Sequence, residues 1–268
     1  MTKIIGIMGC GWFGLPLAKA LLKDDFSVKG TTTSIDKIKT LKDEGIHAFE
    51  ISISETSIKG PIVSFLEDTN ILVINIPPGL RGKATTVSYI DRMRTLLKAI
   101  KNSKLQKVIF VSSTSVYSDE QGHVSEEILP LPTTASGKQL LQSENLFKTE
   151  TAFQTTVVRF GGLIGPNRHP VHMLSGKQNL KNGNAPVNLI HLNDCIAVLT
   201  AILKEEKWGE IFNVVYPEHP SKQEYYTNSA LSKGITPPLY TSSDTKQFKT
   251  VYSCKKFITK MYDDFTSI

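Results

Sequence analysis

Residues 9–14 read Gly-Cys-Gly-Trp-Phe-Gly, a GxGxxG pattern that follows an apolar segment and precedes a helical one. The apolar segment, Lys3–Met8, predicts a buried strand, and the apolar spacing over Leu15–Lys23 predicts a helix. Glycines at this spacing permit a tight turn, close approach to the backbone, and close packing of the helix on the strand. The chain is therefore restricted to folds that begin with a strand, a glycine loop and a helix.

In this context the glycine loop predicts dinucleotide binding. Gly9 would allow the turn, Gly11 would let a pyrophosphate approach the backbone, and Gly14 would allow helix–strand packing. The first helical turn adds backbone N–H groups and a favourable dipole for phosphates, so Trp12 and Phe13 are also expected at the cofactor. Outside such a context the same glycines would indicate only turns.

Strands and helices alternate over the first 160 residues. Further strands are predicted at Phe26–Thr31, Ile46–Ile51, Asn70–Ile76, Lys107–Ser112 and Thr155–Phe160. Further helices are predicted at Ile35–Glu44, with Ser34 as its cap, at Ala84–Asn102 and at Leu140–Lys148. This alternation indicates an α/β fold with a doubly wound parallel sheet of the Rossmann type.

The residue composition changes after Gly161: Gly, Pro and Asn become frequent, so loops are expected. A helix (Asn193–Lys204) and a strand (Glu210–Tyr216) follow, and the tail from Pro217 is predicted to be irregular. We therefore predict a dinucleotide-binding domain over residues 1–160 and a small substrate lobe over residues 161–268, with about 191–216 returning to the Rossmann core.

Composition excludes several classes of protein. The chain has 268 residues, 31 basic and 25 acidic side chains, and a net charge of +6. The basic excess is spread out, so no nucleic-acid partner is expected. Cys10, Cys195 and Cys254 lie far apart, which argues against a disulfide framework or zinc ribbon and indicates a reducing compartment.

The apolar runs are far shorter than the ~20 residues that span a bilayer, and no signal-peptide pattern is present. A cytoplasmic protein without membrane contact, acting on a small molecule, is expected. The oligomeric state stays open, with a homodimer among the alternatives. No metal site is expected, because no carboxylate or Cys supports the pair His169 and His172.

The end of the second predicted strand bears on the choice of cofactor. NAD enzymes usually place Asp or Glu there against the ribose hydroxyls. This chain has Thr33, Ser34 and Lys37 in that region, and Asp36 comes only after the predicted helix cap. NADP is therefore favoured, with NAD as the alternative. On the other reading, this segment is a polar turn that discriminates neither cofactor.

Hydroxyl groups follow the strand that ends near Ser112. Residues at the carboxyl ends of parallel strands lie where open α/β sheets bind ligands, so Ser112 and Ser113 are site candidates. A polar exit from a strand into a loop explains them equally well. Arg81 and Arg168 lie in Gly/Pro-rich loops and are candidates for binding a substrate anion, although solvated surface arginines are as common.

Several segments resemble the extended short-chain dehydrogenases/reductases, the NAD-dependent epimerase/dehydratase relatives. They are the glycine loop, Asn75-Ile76-Pro77-Pro78, Ser112–Tyr117, Val158–Pro166 and Asn188–Asp194, within a resemblance that covers residues 3 to about 230. The resemblance implies that Ser113 is the catalytic Ser. It also implies that Ile76, Pro77, Pro78 and Ser112 contact the cofactor, and that Arg159 and Gly161 line the approach to the substrate lobe.

One departure from the family pattern affects catalysis. The family places a catalytic Tyr and, four residues later, a Lys on the helix after the Ser strand, whereas this chain has Ser136 and Leu140 there. Lys138 cannot substitute for Leu140, because two residues correspond to about 200° of helix rotation. The chain is similar to the proteins described as nucleoside-diphosphate-sugar epimerases.

Two functions follow from these observations. The first is an NAD(P)-binding oxidoreductase or epimerase-like enzyme acting on a small polar substrate, sugar-related by resemblance. Its proton donor would be Ser136 through a water, Tyr117, or the substrate itself. The second is a catalytically silent NADP-binding module that serves as a regulator or sensor.

Overall fold

The computed structural model describes residues 2–79, 88–241 and 247–268. The strands are β1 (Ile4–Met8), β2 (Ser27–Thr32), β3 (His47–Glu50), β4 (Ser52–Ile53), β5 (Ile58–Lys59), β6 (Ile71–Ile74), β7 (Lys107–Ser113), β8 (His123–Val124), β9 (Gln154–Phe160), β10 (Gly162–Ile164), β11 (Leu189–His191), β12 (Ile211–Val214) and β13 (Thr250–Val251). The α-helices are α1 (Gly14–Lys23), α2 (Asp36–Asp43), α3 (Ile62–Leu66), α4 (Tyr89–Lys101), α5 (Ala135–Lys148), α6 (Val171–Leu174), α7 (Leu192–Lys204), α8 (Lys222–Ser232) and α9 (Lys256–Thr259).

Seven strands form the central sheet, in the spatial order β3-β2-β1-β6-β7-β9-β12. β1 pairs in parallel with β2 on one side and with β6 on the other, and the pairs β2–β3 and β6–β7 are also parallel. Every residue of β6 is buried, as expected for a strand covered on both faces. The predicted α/β fold of the Rossmann type is confirmed.

The strand order places a binding crevice at β1. The chain runs outward from β1 to β2 and β3, and then returns to add β6 on the other side of β1. In open α/β sheets, ligands bind at the carboxyl ends of the strands where the order reverses in this way. The glycine loop leaves the carboxyl end of β1 at this point.

Some element boundaries differ from the prediction. α2 begins at Asp36, with Ile35 rather than Ser34 at the capping position. α5 begins at Ala135, well before the predicted start at Leu140, because the Thr134 side chain accepts a hydrogen bond from the first turn. The tail that was predicted to be irregular contains α8, which Ser221 caps in the same way. Residues 84–87, at the start of the long predicted helix, lie outside the described residues.

The chain divides into two compact units. The first comprises 1–113, 134–159 and 196–211, and the second comprises 114–133, 160–195 and 212–268. Segment 114–133, expected in the dinucleotide-binding domain, belongs to the second unit. The second unit has an apolar core of its own, formed by Ile164, Val171, Val187, Leu189, Tyr225, Tyr226 and Ala230. Among the described helices, none is both long and apolar enough to cross a membrane.

Candidate dinucleotide site

Two of the three motif glycines are required by the shape of the loop. Gly9 has φ +107°, a left-handed conformation, and a Cβ there would lie 2.6 Å from the Asn75 carbonyl oxygen. A Cβ on Gly14 would collide with the carbonyl oxygen of Gly9, so α1 can approach the loop only with glycine at this position. These are the turn and packing roles that the motif predicts.

Gly11 differs from the other two glycines. A Cβ built on it meets nothing within 4 Å, so protein packing does not explain the residue. The space beside Gly11 lies at the first turn of α1, where a helix N-terminus favours an anion. The local geometry therefore fits a pyrophosphate that approaches the backbone at Gly11.

The loop is held by groups from both neighbouring strands. The Gly9 N–H donates to Thr31 Oγ1 (2.9 Å), and the Cys10 N–H donates to the Thr31 carbonyl oxygen (2.8 Å). On the other side, Asn75 Nδ2 donates to the Gly9 carbonyl oxygen (3.1 Å). Sequence reasoning did not select Thr31 or Asn75 as site residues. The available signal was their position at the ends of the strands that flank β1.

Cys10 and Phe13 contribute to packing. The Cys10 thiol is buried, so close to Gly30 that a Cβ there would lie 2.6 Å from Sγ, and burial raises its pKa to about 12. A thiol held neutral in this way is not an easily oxidised thiolate. Phe13 is also buried and stands at the capping position of α1, so it can contact a cofactor only through its main chain. Trp12 is half-buried.

The end of β2 presents polar groups to solvent. Thr33 and Lys37 are exposed and Ser34 is half-buried. The Ser34 N–H donates to Thr32 Oγ1 (3.2 Å), which fixes the turn between β2 and α2. All three predicted cofactor residues therefore lie beyond the carboxyl end of β2, on the side of β1 away from β6.

The segment after β6 is anchored by a buried tyrosine. Tyr89 Oη donates to the Ile76 carbonyl oxygen (2.9 Å), and the Tyr89 N–H donates to Gln139 Oε1 (2.6 Å). One residue thereby connects the predicted cofactor segment 76–78 with α4 and α5. The candidate anion-binding residue Arg81 follows this segment and lies outside the described residues.

Arg159 and Ser112 form a buried polar cluster with Glu144, which corrects their predicted roles. Arg159 is 2% exposed, and its Nε and Nη2 donate to the Glu144 carboxylate, at 2.6 Å for the Nη2–Oε2 pair. Ser112 Oγ donates to Glu144 Oε1 (2.5 Å). A guanidinium buried in this way connects β9 to α5 and does not present itself to a substrate. The Ser112 hydroxyl is likewise directed to α5, which leaves only its main chain for the cofactor.

Ser113 and Ser136 remain candidates for the catalytic roles that the sequence predicts. Ser113 ends β7 and is half-buried, on the opposite side of the strand from the inward-facing Ser112. Ser136 is half-buried in the first turn of α5. Leu140, one turn further along, is only 4% exposed and belongs to the core.

The burial of Tyr117 argues against the role of proton donor that the sequence suggested. The side chain is 1% exposed, and its hydroxyl donates to the Ser125 carbonyl oxygen (2.9 Å) and lies within hydrogen-bond distance of Asn213. The structure thus assigns Tyr117 to the interior of the second unit. Burial among these partners leaves its phenol almost no contact with solvent.

Backbone packing explains Gly161, whereas Arg168 keeps its predicted role. A Cβ on Gly161 would lie 2.7 Å from the Asn188 carbonyl oxygen, so close packing of the backbone, rather than a substrate, accounts for this glycine. Arg168 is exposed, next to the turn residue Asn167 (φ +57°), and remains a candidate for anion binding. No group of three metal-ligating side chains occurs in the described ranges.

A family model described as NAD(P)H-binding matches residues 9–206, which include the glycine loop, β7 and α5. This chain belongs to the NAD(P)H-binding family. It is 32% identical over 242 residues to protein YeeZ of Escherichia coli K12, covering 90% of this chain and 88% of that protein.

Two further comparisons match proteins whose names describe sugar-nucleotide epimerases. It is 27% identical over 250 residues to the Bacillus subtilis 168 protein named uncharacterized UDP-glucose epimerase YtcB, covering 82% of this chain and 78% of that protein. A Bacillus cereus UDP-glucuronic acid 4-epimerase, solved with UDP-glucuronic acid and NAD, shares the fold with a TM-score of 0.77 at 22% identity, covering 99% and 94% of the two chains. The resemblance to the epimerase/dehydratase superfamily is confirmed.

Proposed function

We propose that this chain binds NADP(H) in preference to NAD(H) and acts as an oxidoreductase or epimerase-like enzyme on a small, sugar-related substrate. The observation that carries the proposal is the open space at Gly11, beside the first turn of α1. A bound nicotinamide dinucleotide would supply the redox chemistry. The names of YtcB and of the Bacillus cereus epimerase support a sugar-related substrate.

In this proposal, separate groups of the chain bind the cofactor and the substrate. The first turn of α1 binds the pyrophosphate, and Lys37, with the hydroxyls of Thr33 and Ser34, binds the 2′-phosphate. Ser113 holds the substrate oxygen, and the proton comes from Ser136 through a water or from the substrate itself.

A turnover assay tests the catalytic part. The protein is incubated with NAD⁺ or NADP⁺ and a panel of UDP-sugars, and reduced-nicotinamide fluorescence and sugar epimers are followed over time. An enzyme forms reduced cofactor or an epimer with at least one substrate, and Ser113→Ala lowers that rate. Turnover that is insensitive to Ser113→Ala would contradict the role given to this hydroxyl.

Two observations favour a second function, a catalytically silent module that binds the cofactor as a sensor. Leu140 is packed in the core where the family has its Lys, and Tyr117 is buried in the second unit. Tight cofactor binding without turnover over the whole panel would support the silent module and contradict the enzyme.

A further inference from the structure

The strand next to β2 in the sheet, β3, ends with an acidic residue, Glu50. β2 and β3 are parallel, and the register pairs Thr32 with Glu50, the last residues of the two strands. The Ile51 N–H donates to the Thr32 carbonyl oxygen (2.9 Å), so the pairing continues to the end of β3. Neighbouring strands lie about 4.8 Å apart, and Glu50 therefore stands one strand away from the predicted 2′-phosphate region.

The backbone of Glu50 is closely packed, and its side chain has no ion-pair partner among the described residues. A Cβ on Gly60 would collide with the Glu50 carbonyl oxygen, which shows that the chain folds tightly over the backbone here. The side chain is exposed. Within the described part of the chain, its carboxylate forms no ion pair, whereas the exposed Glu44 pairs with Lys19.

We infer that Glu50 sets the balance between NADP and NAD by opposing a 2′-phosphate that Lys37 attracts. The inference rests on the proposed dinucleotide site. It adds Glu50 to that site, a residue far from Thr32 in the sequence that becomes its neighbour only through strand pairing. A phosphate with almost two negative charges is repelled by a carboxylate on the adjacent strand, whereas a ribose hydroxyl is not. The NADP preference of the native protein is therefore smaller than its β2 sequence suggests.

The test is a pair of matched substitutions measured with both cofactors. Glu50→Gln keeps the size of an exposed side chain and removes its charge. Glu67→Gln makes the same change ahead of the amino end of β6, whereas Glu50 lies at the carboxyl end of β3. Affinities for NADP⁺ and NAD⁺ are measured by calorimetry on the full chain.

We expect Glu50→Gln to raise the ratio of NADP⁺ to NAD⁺ affinity about five-fold and Glu67→Gln to leave it unchanged. The effect should shrink as salt rises from about 0.1 M to about 1 M, because the Debye length falls from about 10 Å to about 3 Å. An unchanged or lower ratio in Glu50→Gln, while both cofactors bind, would overturn the inference. If neither cofactor binds the native chain, the proposed function itself is wrong.

Discussion

The side-chain amide of Asn75 donates a hydrogen bond of 3.1 Å to the carbonyl oxygen of Gly9. This contact ties the end of β6 to the first residue of the glycine loop, while Thr31 holds the same residue from β2. The loop is therefore shaped before any ligand arrives, and the cost of ordering it does not reduce the affinity for a dinucleotide.

Asn75→Ala is expected to weaken dinucleotide binding about five-fold, since one net hydrogen bond that orders the loop is lost. Calorimetry measures the affinity and thermal melting measures the stability. The matched control is Asn70→Ala, because Asn70 Oδ1 accepts from the Ile4 N–H (2.7 Å) at the opposite end of β1. The control should lower the melting temperature and keep the affinity. Equal losses of affinity in both variants would contradict a local role for Asn75.

Glu144→Gln is expected to lower the free energy of unfolding by about 3–5 kcal/mol, because it removes the carboxylate from a buried ion pair with Arg159. Urea unfolding measures the change. In the control, Glu206→Gln, the lost partner is Lys3 in an exposed pair, and no measurable loss is expected. A similar loss of unfolding free energy in Glu144→Gln and Glu206→Gln would contradict the view that burial makes the Arg159 pair important for stability.

Stability is expected to fall on acidification because of two histidines. Burial lowers the pKa of His169 and of His219 below the ordinary value of 6.5. Well above pH 6.5 both are neutral in the folded and the unfolded chain. As the pH falls through 6.5, the unfolded chain takes up protons that the folded chain resists, so stability declines until the folded pKa is passed.

Melting temperatures between about pH 7.5 and about pH 5 check this. His169 Nδ1 accepts from the Val171 N–H, so Nε2 carries the proton and donates to Tyr225 Oη; the Nδ1 contact needs the neutral ring. His169→Gln should melt at a lower temperature than the native chain at pH 7.5 and lose less on acidification. If the melting temperature of His169→Gln falls more steeply on acidification than that of the native chain, His169 is not a source of the acid sensitivity.

The glycine motif predicted its own structure because its requirements are local. The positive φ of Gly9 and the closeness of Gly14 to the Gly9 carbonyl oxygen follow from three residues and one turn. The buried ion pair of Arg159 could not be predicted in this way, because its partner Glu144 lies on another element. The pairing depends on how α5 packs on β7 and β9. Glu50 is a similar case, because it becomes a neighbour of Thr32 only through sheet register.

Restoring the family's Tyr and Lys is expected to fail at the second position. Leu140 is 4% exposed, so Leu140→Lys places an ammonium group in the core and should lower the free energy of unfolding by several kcal/mol. Leu140→Met, similar in volume, should cost less than about 1.5 kcal/mol. Ser136→Tyr, at a half-buried position, should remain folded. A stable Leu140→Lys protein would show that this face of α5 can reach solvent or a ligand.

The most direct test of the account is calorimetric binding of NADP⁺ and NAD⁺ to the native chain and to Gly11→Val. Because a Cβ at Gly11 meets nothing within 4 Å, the variant should fold and melt like the native chain. The valine methyls would occupy the space needed by the pyrophosphate, so binding should be lost. We predict that the native chain binds both cofactors, NADP⁺ more tightly, and that folded Gly11→Val binds neither. Unchanged affinity in the folded variant would contradict a dinucleotide site at the glycine loop.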